Sequence, residues 1–262
     1  MSTLVDDLAL AQELADRADA ITLPRFGAVD LEVSTKPDLT PVTEADMAAE
    51  RALRELLSEV RPADAVVGEE YGSERDGAHR RWIVDPIDAT KNYVRGVPVW
   101  ATLIALEEGG EGTVGLVSAP ALGRRWWATR GEGAFASDAL SGQTRRLAVS
   151  EITELRDAQL SFGGLEDWPA RGRRDALIEL VEACWRTRSF GDFWAYMLLA
   201  EGALEIAIDP VASLWDLAAP QLVVEEAGGR FSDLSGARTA DGGDAIATNG
   251  RLHDAALWRV GR

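Results

Sequence analysis

The forty residues from 97 to 136, "VPVWATLIALEEGGEGTVGLVSAPALGRRWWATRGEGAFA", restrict the fold more than any other part of this chain. Apolar runs broken by glycine-containing turns predict successive antiparallel strands. What flanks them has another texture. Residues 4–26 carry Leu4, Leu8, Ala11, Ala15 and Ala18 at three- and four-residue steps, the spacing of an amphipathic helix. A second helix begins near "PVTEAD". Thr43 with Asp46 forms a capping box in which Asp replaces the usual Glu, and Met47, Leu53, Leu56, Leu57 and Val60 are expected to face inward. "DAVVGEE" (64–70) and "RRWIVD" (80–85) read as short strands, as do "LAVSEI", "QLSFGG", a segment near Arg188, "ALEIAID", 230–233 and 244–248. Helical patterns return at 172–185, about 193–201, 213–229 (closed by Gly228 and Gly229) and 251–260. Two helices, a long β region and then mixed elements describe an α+β or layered α/β plan, not a regular βαβ series. "SDALSGQ" (137–143) is either a hairpin loop or the best internal boundary, dividing an N-terminal part, 1–140, from a C-terminal part, 141–262, of one compact unit.

Composition removes several classes of function. The 262 residues, 46% of them hydrophobic, suffice for a substantial core. An excess of 44 acidic over 27 basic residues gives a net charge of −17, which repels nucleic acid and anionic membranes. The single cysteine, Cys184, excludes an intrachain disulfide and any multi-cysteine metal site; its helical surroundings mark a core position. Acids stand where a signal peptide needs bases, and no apolar stretch approaches ~18 residues, so a soluble, cytoplasmic protein is expected. His79 and His253 lie in no motif and read as surface residues. Trp126 and Trp127, adjacent in a strand, must face opposite ways.

"WIVDPIDATKNY" (82–93) is a strand that runs into two aspartates, Asp85 and Asp88. Glu69 and Glu70 end the preceding strand, and Asp216 sits in the first turn of a helix. Each alone is ordinary: a turn, a cap, a first-turn acid. If neighbouring strands finish at one edge, however, Glu69, Asp85 and Asp88 converge. Clustered carboxylates repel and need protons or a cation. Oxygen ligands without His or Cys favour Mg²⁺, Mn²⁺ or Ca²⁺. Pro86 stiffens the turn and leaves the Ile87 carbonyl as a further oxygen ligand. "ATKNY" then looks like the first turn of a helix, where free N–H groups bind phosphate, and Thr90 adds a hydroxyl. Metal coordination lowers the pKa of an attacking water and stabilises the leaving oxygen. Asp46, if it reaches Thr90, forms a carboxylate–hydroxyl pair that orients or deprotonates that water.

Taken together, "TKPDLTPVTEAD" (35–46), "GEE" (68–70), "WIVDPIDATKNY" and "WDLAAPQLVVEEAGG" (215–229) resemble the signature segments of the inositol monophosphatase superfamily, in order and at about the right separations. The likeness runs from about residue 5 to 260. It implies a layered αβαβα sandwich, a homodimer, and Mg²⁺- (or Mn²⁺-) dependent phosphomonoester hydrolysis. Position by position it implies metal ligands at Glu69, Asp85, the Ile87 carbonyl and Asp88 from the N-terminal part, with Asp216 completing the site from the C-terminal part. Glu70 matches a second acid near the metals, and Asp46 and Thr90 match the water-activating pair. The amides of Ala89 and Thr90 match the phosphate cradle, and Lys36 a lysine of a mobile loop. One departure stands out: the family has glycine where this chain has Ala89. The change costs little if φ there is negative and about 1 kcal/mol or more if it is positive.

"NYVRGVPVWATLIAL", "SAPALGRRWWATRGEGAF" and "ATNGRLHDAAL" further resemble the histidinol-phosphate phosphatases of the actinobacterial type. Histidinol carries an amine and an imidazole, so its pocket should offer acids and aromatic faces. Asp209 and Asp192 fall where the family contacts the non-phosphate end of the substrate, and Glu44 adjoins the mobile loop. Asp192 could equally cap the helix beginning at 193. The competing readings are an inositol-1-phosphate or related sugar-phosphate phosphatase, which could use the same acids, and a catalytically silent ligand-binding relative marked by Ala89. "GEGAFA" (131–136) fits G-x-G-x-x-A, but no helical pattern follows it, which argues against a nucleotide-binding fold.

Overall fold

The computed structural model describes residues 4–37, 39–75 and 77–261. Two helices open the chain, α1 (Leu4–Arg25) and α2 (Glu44–Val60), with a small hairpin of β1 (Val33–Thr35) and β2 (Pro41–Thr43) between them. Next come β3 (Ala65–Gly68), β4 (Gly72–Glu74), β5 (Arg80–Asp88), the short α3 (Thr90–Val94), β6 (Ala101–Glu108), β7 (Glu111–Ala119), β8 (Arg124–Thr129), β9 (Gly133–Asp138) and β10 (Gln143–Arg146). These form an eight-stranded sheet in the order β10-β9-β8-β7-β6-β5-β3-β4, antiparallel except for the β3/β5 pair. The remainder is β11 (Gln159–Phe162), α4 (Arg174–Ala183), β12 (Arg186–Thr187), α5 (Asp192–Ala200), β13 (Ile206–Asp209), α6 (Leu214–Glu226), β14 (Arg230–Ser232), β15 (Ala245–Thr248) and α7 (His253–Val260), with a five-stranded sheet ordered β12-β11-β13-β15-β14.

Three hydrophobic layers hold this stack together. The small-residue face of α1 (Ala11, Ala15, Ala18) packs with Leu53 and Leu57 of α2 onto Trp82, Ile104 and Leu116 of the large sheet. Helices α5 and α6 fill the space between the sheets, burying Phe193, Met197, Leu217 and Val223. Gly115 of β7 makes this close packing possible, because a Cβ there would meet the Ala219 carbonyl at 2.8 Å. Leu177 and Leu180 of α4 and Ala256 and Val260 of α7 cover the far face of the small sheet. The layers therefore run αβαβα, as the resemblance implied.

Several expectations change. "LAVSEI" is extended but joins no ladder: it crosses between the sheets, Leu147 donating to the Ala134 carbonyl and Val149 to that of Ala227. Val60, at the last turn of α2, is exposed rather than inward-facing. His253 is fully buried, its two ring nitrogens meeting Ser232 Oγ (3.0 Å) and Thr248 Oγ1 (3.2 Å), whereas His79 is exposed as expected. Trp126 is buried between the sheets and Trp127 packs on the opposite side, while Cys184 is partly buried against the α4/α7 layer. The 137–143 stretch is the tip of the β9–β10 hairpin, with 139–142 forming the turn.

Candidate active site

A register shift in β5 creates the site. Asp85 pairs with Leu103 and Asp88 with Ala101, so three steps on β5 oppose two on β6. In an unbroken strand residues three apart face opposite ways; the extra residue brings both aspartates to one side. Pro86 lies in this bulge, and the buried Thr102 hydroxyl donates to its carbonyl at 2.8 Å. Asp216 arrives from the other half of the chain, at the third position of α6. One of its carboxylate oxygens accepts from the Ser213 amide (2.7 Å) in a capping box. Carboxylate oxygens of Asp85, Asp88 and Asp216 lie within 4.8 Å of one another.

These acids floor a cleft of about 260 Å³, whose lining includes Glu69, Ile87, Ala89, Thr90 and Asp192. Burial raises Asp85 and Asp88 well above the usual carboxylate range, and the charges of Glu69, Asp192 and Asp216 raise them further. Burial pushes Asp216 up to about 7, against the Ser213 hydrogen bond. Among the described residues this is the cluster with the donor set and spacing for a hard cation: three carboxylates, two buried and Asp216 partly buried, with the Ile87 carbonyl beside them. Thr90 Oγ1 donates to that carbonyl at 3.0 Å, leaving its second lone pair. Such an arrangement suits a divalent ion, because a cation relieves the repulsion that otherwise forces protons onto the acids.

Asp88 is not the helix cap that its position allowed. Its Oδ2 instead accepts from the Phe193 amide at 2.9 Å, at the start of α5. Ala89 takes the N-cap position of α3 with φ 66° and ψ 45°, the left-handed region where a Cβ costs about 1–2 kcal/mol. Beneath α3, Tyr93 and Trp100 pack edge to face at 4.9 Å and the Tyr93 hydroxyl donates to the Thr22 carbonyl at 2.7 Å, tying α3 to α1.

The capping box of α2 fixes Asp46. Oδ2 accepts from the Thr43 amide (2.8 Å) and hydroxyl (2.5 Å), while Oδ1 faces Thr90 Oγ1 at 3.4 Å. Burial raises Asp46 to about 6 despite the bonds from Thr43. Lys36 Nζ bridges Glu69 (2.7 Å) and Glu70 (2.8 Å), and burial pushes Glu70 up to about 7 even so. Asp192 and Asp209 line a recess of about 60 Å³ next to Asp88 and Asp216. Asp192 opens α5 after the N-cap Gly191, and Asp209 ends β13 and accepts from the buried Tyr196 hydroxyl at 2.5 Å. Burial raises Asp209 to about 7, in opposition to that hydrogen bond. Glu44 does not join them: Arg25 holds its carboxylate at 2.7 Å, and it lines neither the cleft nor the recess. Sequence reasoning missed Thr102, Tyr196 and the Phe193 amide. The strand expected at 80–85 runs on through Pro86 to Asp88, and the proline just past its expected end was the signal for the bulge that Thr102 supports; a backbone donor such as Phe193 leaves no signal in the sequence.

Residues 5–260 match the model of the inositol monophosphatase family. The chain belongs to that family. It is 56% identical over 255 residues to a histidinol-phosphatase of Mycobacterium tuberculosis, covering 97% of this chain and 98% of that one. It is 54% identical to a histidinol-phosphatase of Streptomyces coelicolor, covering 98% and 97%. An inositol monophosphatase of Zymomonas mobilis superposes with a TM-score of 0.87 at 30% identity, covering 99% of each chain.

Proposed function

We propose that this chain is a Mg²⁺-dependent phosphomonoesterase that hydrolyses L-histidinol phosphate to L-histidinol and phosphate, and that it works as a cytoplasmic homodimer. The observation that carries the phosphatase reading is the meeting of Asp85, Asp88 and Asp216 beside the Asp46–Thr90 pair. The substrate reading is supported by the 54–56% identity to two histidinol-phosphatases and by two acids in the recess beside the cleft, which suit an amine-bearing leaving group. No helix among the described residues is long and apolar enough to cross a membrane.

Asp85, Asp88, Asp216, Glu69 and the Ile87 carbonyl would hold the cation. When bound, it supplies charge neutralisation for the ester and lowers the pKa of the attacking water. The chain's own groups do the rest. As the opening residues of a helix, Ala89 and Thr90 offer amides without intrahelical acceptors to the phosphate oxygens. Thr90 Oγ1, donating to Ile87 and facing Asp46, orients the water. Asp46 Oδ1 takes its proton, a role suited to a carboxyl raised to about 6. The 3.4 Å contact between Thr90 and Asp46 is expected to tighten with the ester in place. Asp209 and Asp192 receive the histidinol amine, and Tyr196 fixes the Asp209 carboxylate.

The test is phosphate release from L-histidinol phosphate and from myo-inositol 1-phosphate, each with Mg²⁺, with Mn²⁺ and with EDTA, plus light scattering for the dimer. A kcat/KM at least about tenfold higher for histidinol phosphate is expected, equivalent to about 1.4 kcal/mol of discrimination. Equal or reversed preference would overturn the substrate. Release unaffected by EDTA would overturn the cation, and no release at all would favour a silent relative.

A further inference from the structure

Glu50 is a carboxylate with no exposed surface, set in the middle of α2. It plays no part in the chemistry above. Two of its neighbours explain what it does. Its Oε2 accepts from the Glu70 amide at 2.7 Å, and its Oε1 from the Tyr71 amide at 3.2 Å. Those amides belong to the turn after β3, which carries Glu69 and Glu70 toward Lys36. Arg54, one helical turn on, donates to Oε1 at 2.8 Å and also reaches the Gly72 carbonyl. The carboxylate can sit there only because residue 68 is glycine: a Cβ at Gly68 would fall inside the Glu50 carboxyl group. Asp46, Glu50 and Arg54 follow one another at four-residue steps along one face of α2, so the same rigid helix holds both Asp46 and the Glu69–Glu70 turn.

We infer that Glu50 is a positioning residue: its buried carboxylate grips the backbone of the 69–71 turn and thereby aims Glu69 at the cation-binding cleft. This deepens the phosphatase reading and rests on Glu69 serving the cation. A buried charge of this kind is costly unless it is fully hydrogen-bonded, and here an arginine and two amides satisfy it. Outer carboxylates that orient ligands typically matter by about 10–100-fold in metal affinity or activity.

The experiment is calorimetric titration of the full chain and of Glu50→Gln with Mg²⁺, together with kcat at saturating Mg²⁺ and amide exchange of the parent protein. Glutamine turns an NH₂ group toward one of the two amides and so releases it. The dissociation constant for Mg²⁺ is expected to rise about tenfold or more, while kcat at saturation stays within about threefold and far-UV circular dichroism is unchanged. A folded Glu50→Gln protein that melts earlier but binds Mg²⁺ as tightly as the parent would overturn the inference, since Glu50 would then be structural only. Should Glu50→Gln not fold, exchange in the parent decides. The Glu70 and Tyr71 amides are expected to exchange at least about 100-fold more slowly than free peptide, and free exchange there overturns the grip. If the parent itself binds no Mg²⁺, the reading of the cleft fails, and the exchange data still judge the turn.

Discussion

Two groups of aspartates in this molecule, all buried but the partly buried Asp216, face opposite electrostatic circumstances. Beside the N-terminal helix, Asp7 is met by Arg80 at 2.8 Å and Arg61 at 3.5 Å, and Asp64 by Arg80 at 3.4 Å and the Trp82 indole at 3.0 Å. In the cleft, Asp85, Asp88 and Asp216 crowd within 4.8 Å, and their hydrogen-bond donors are the backbone amides of Ile87, Phe193 and Ser213. Folding commits arginine to the first group and leaves the charge of the second to be balanced by something that arrives later. Burial alone does not distinguish structure from function; whether the fold itself supplies the countercharge does.

The largest effect expected from breaking this contrast is in the cleft. Asp85→Asn or Asp88→Asn should cut turnover by more than about a thousandfold, over 4 kcal/mol of barrier, and abolish Mg²⁺ binding in calorimetry. Either variant should also melt higher than the parent in EDTA, because it removes a repelling charge. Full turnover in either one would sink the ligand assignment. Among the arginine-paired acids the outcome reverses. Arg80→Met leaves Asp7 with Arg61 and Asp64 with the Trp82 indole but removes the arginine they share, and should cost about 3 kcal/mol in urea unfolding, with kcat of the folded enzyme unchanged; a change in kcat without a loss of stability would erase the distinction.

His253 sharpens the contrast by a third route, burial in the neutral state. Burial lowers it to about 4, and the nearby Arg230 charge adds to this. The unfolded chain therefore takes up a proton near pH 6.5 that the folded one refuses until about pH 4. The histidine's contribution to stability is intact above about 6.5 and drains away as pH falls through that window, by up to about 1.4 kcal/mol per pH unit. Subtracting the urea-unfolding pH profile of His253→Gln from that of the parent isolates this slope; identical profiles would refute it. The smallest effect belongs to Ala89→Gly, which removes a left-handed alanine and should stabilise by about 1 kcal/mol, read as a melting point about 2–4 °C higher. An unchanged or lower melting point would mean that φ 66° carries no strain here.

Much of this was legible in the chain. The strand run at 97–136 and the helical spacing of residues 4–26 predicted the large sheet and α1, because continuous apolar runs between glycine turns suit strands buried on both faces and three- and four-residue steps put one helix face in the core. The carboxylates were legible as types, and "GEE", "DPIDAT" and "WD" placed them through a resemblance. What the sequence withheld is tertiary. Glu44 adjoins the loop, but nothing local announces that Arg25, 19 residues earlier, holds its carboxylate. "LAVSEI" has strand chemistry, but its amides were claimed by Ala134 and Ala227 in two different layers. His253 looked exposed because nothing local announces Ser232 and Thr248 around a ring. Propensity describes what a segment tolerates, and partners brought from afar decide what it does.

The Phe193–Asp88 hydrogen bond spans 105 residues of sequence and joins strand and helix from opposite halves of the chain. With Asp216 entering from the same later half, the acidic cleft is a seam rather than a pocket carved in either part. Neither fragment alone would own a working centre. Under the function proposed above, turnover is a proofreading signal for assembly: a molecule that cleaves its ester has, by that act, reported both sheets in register.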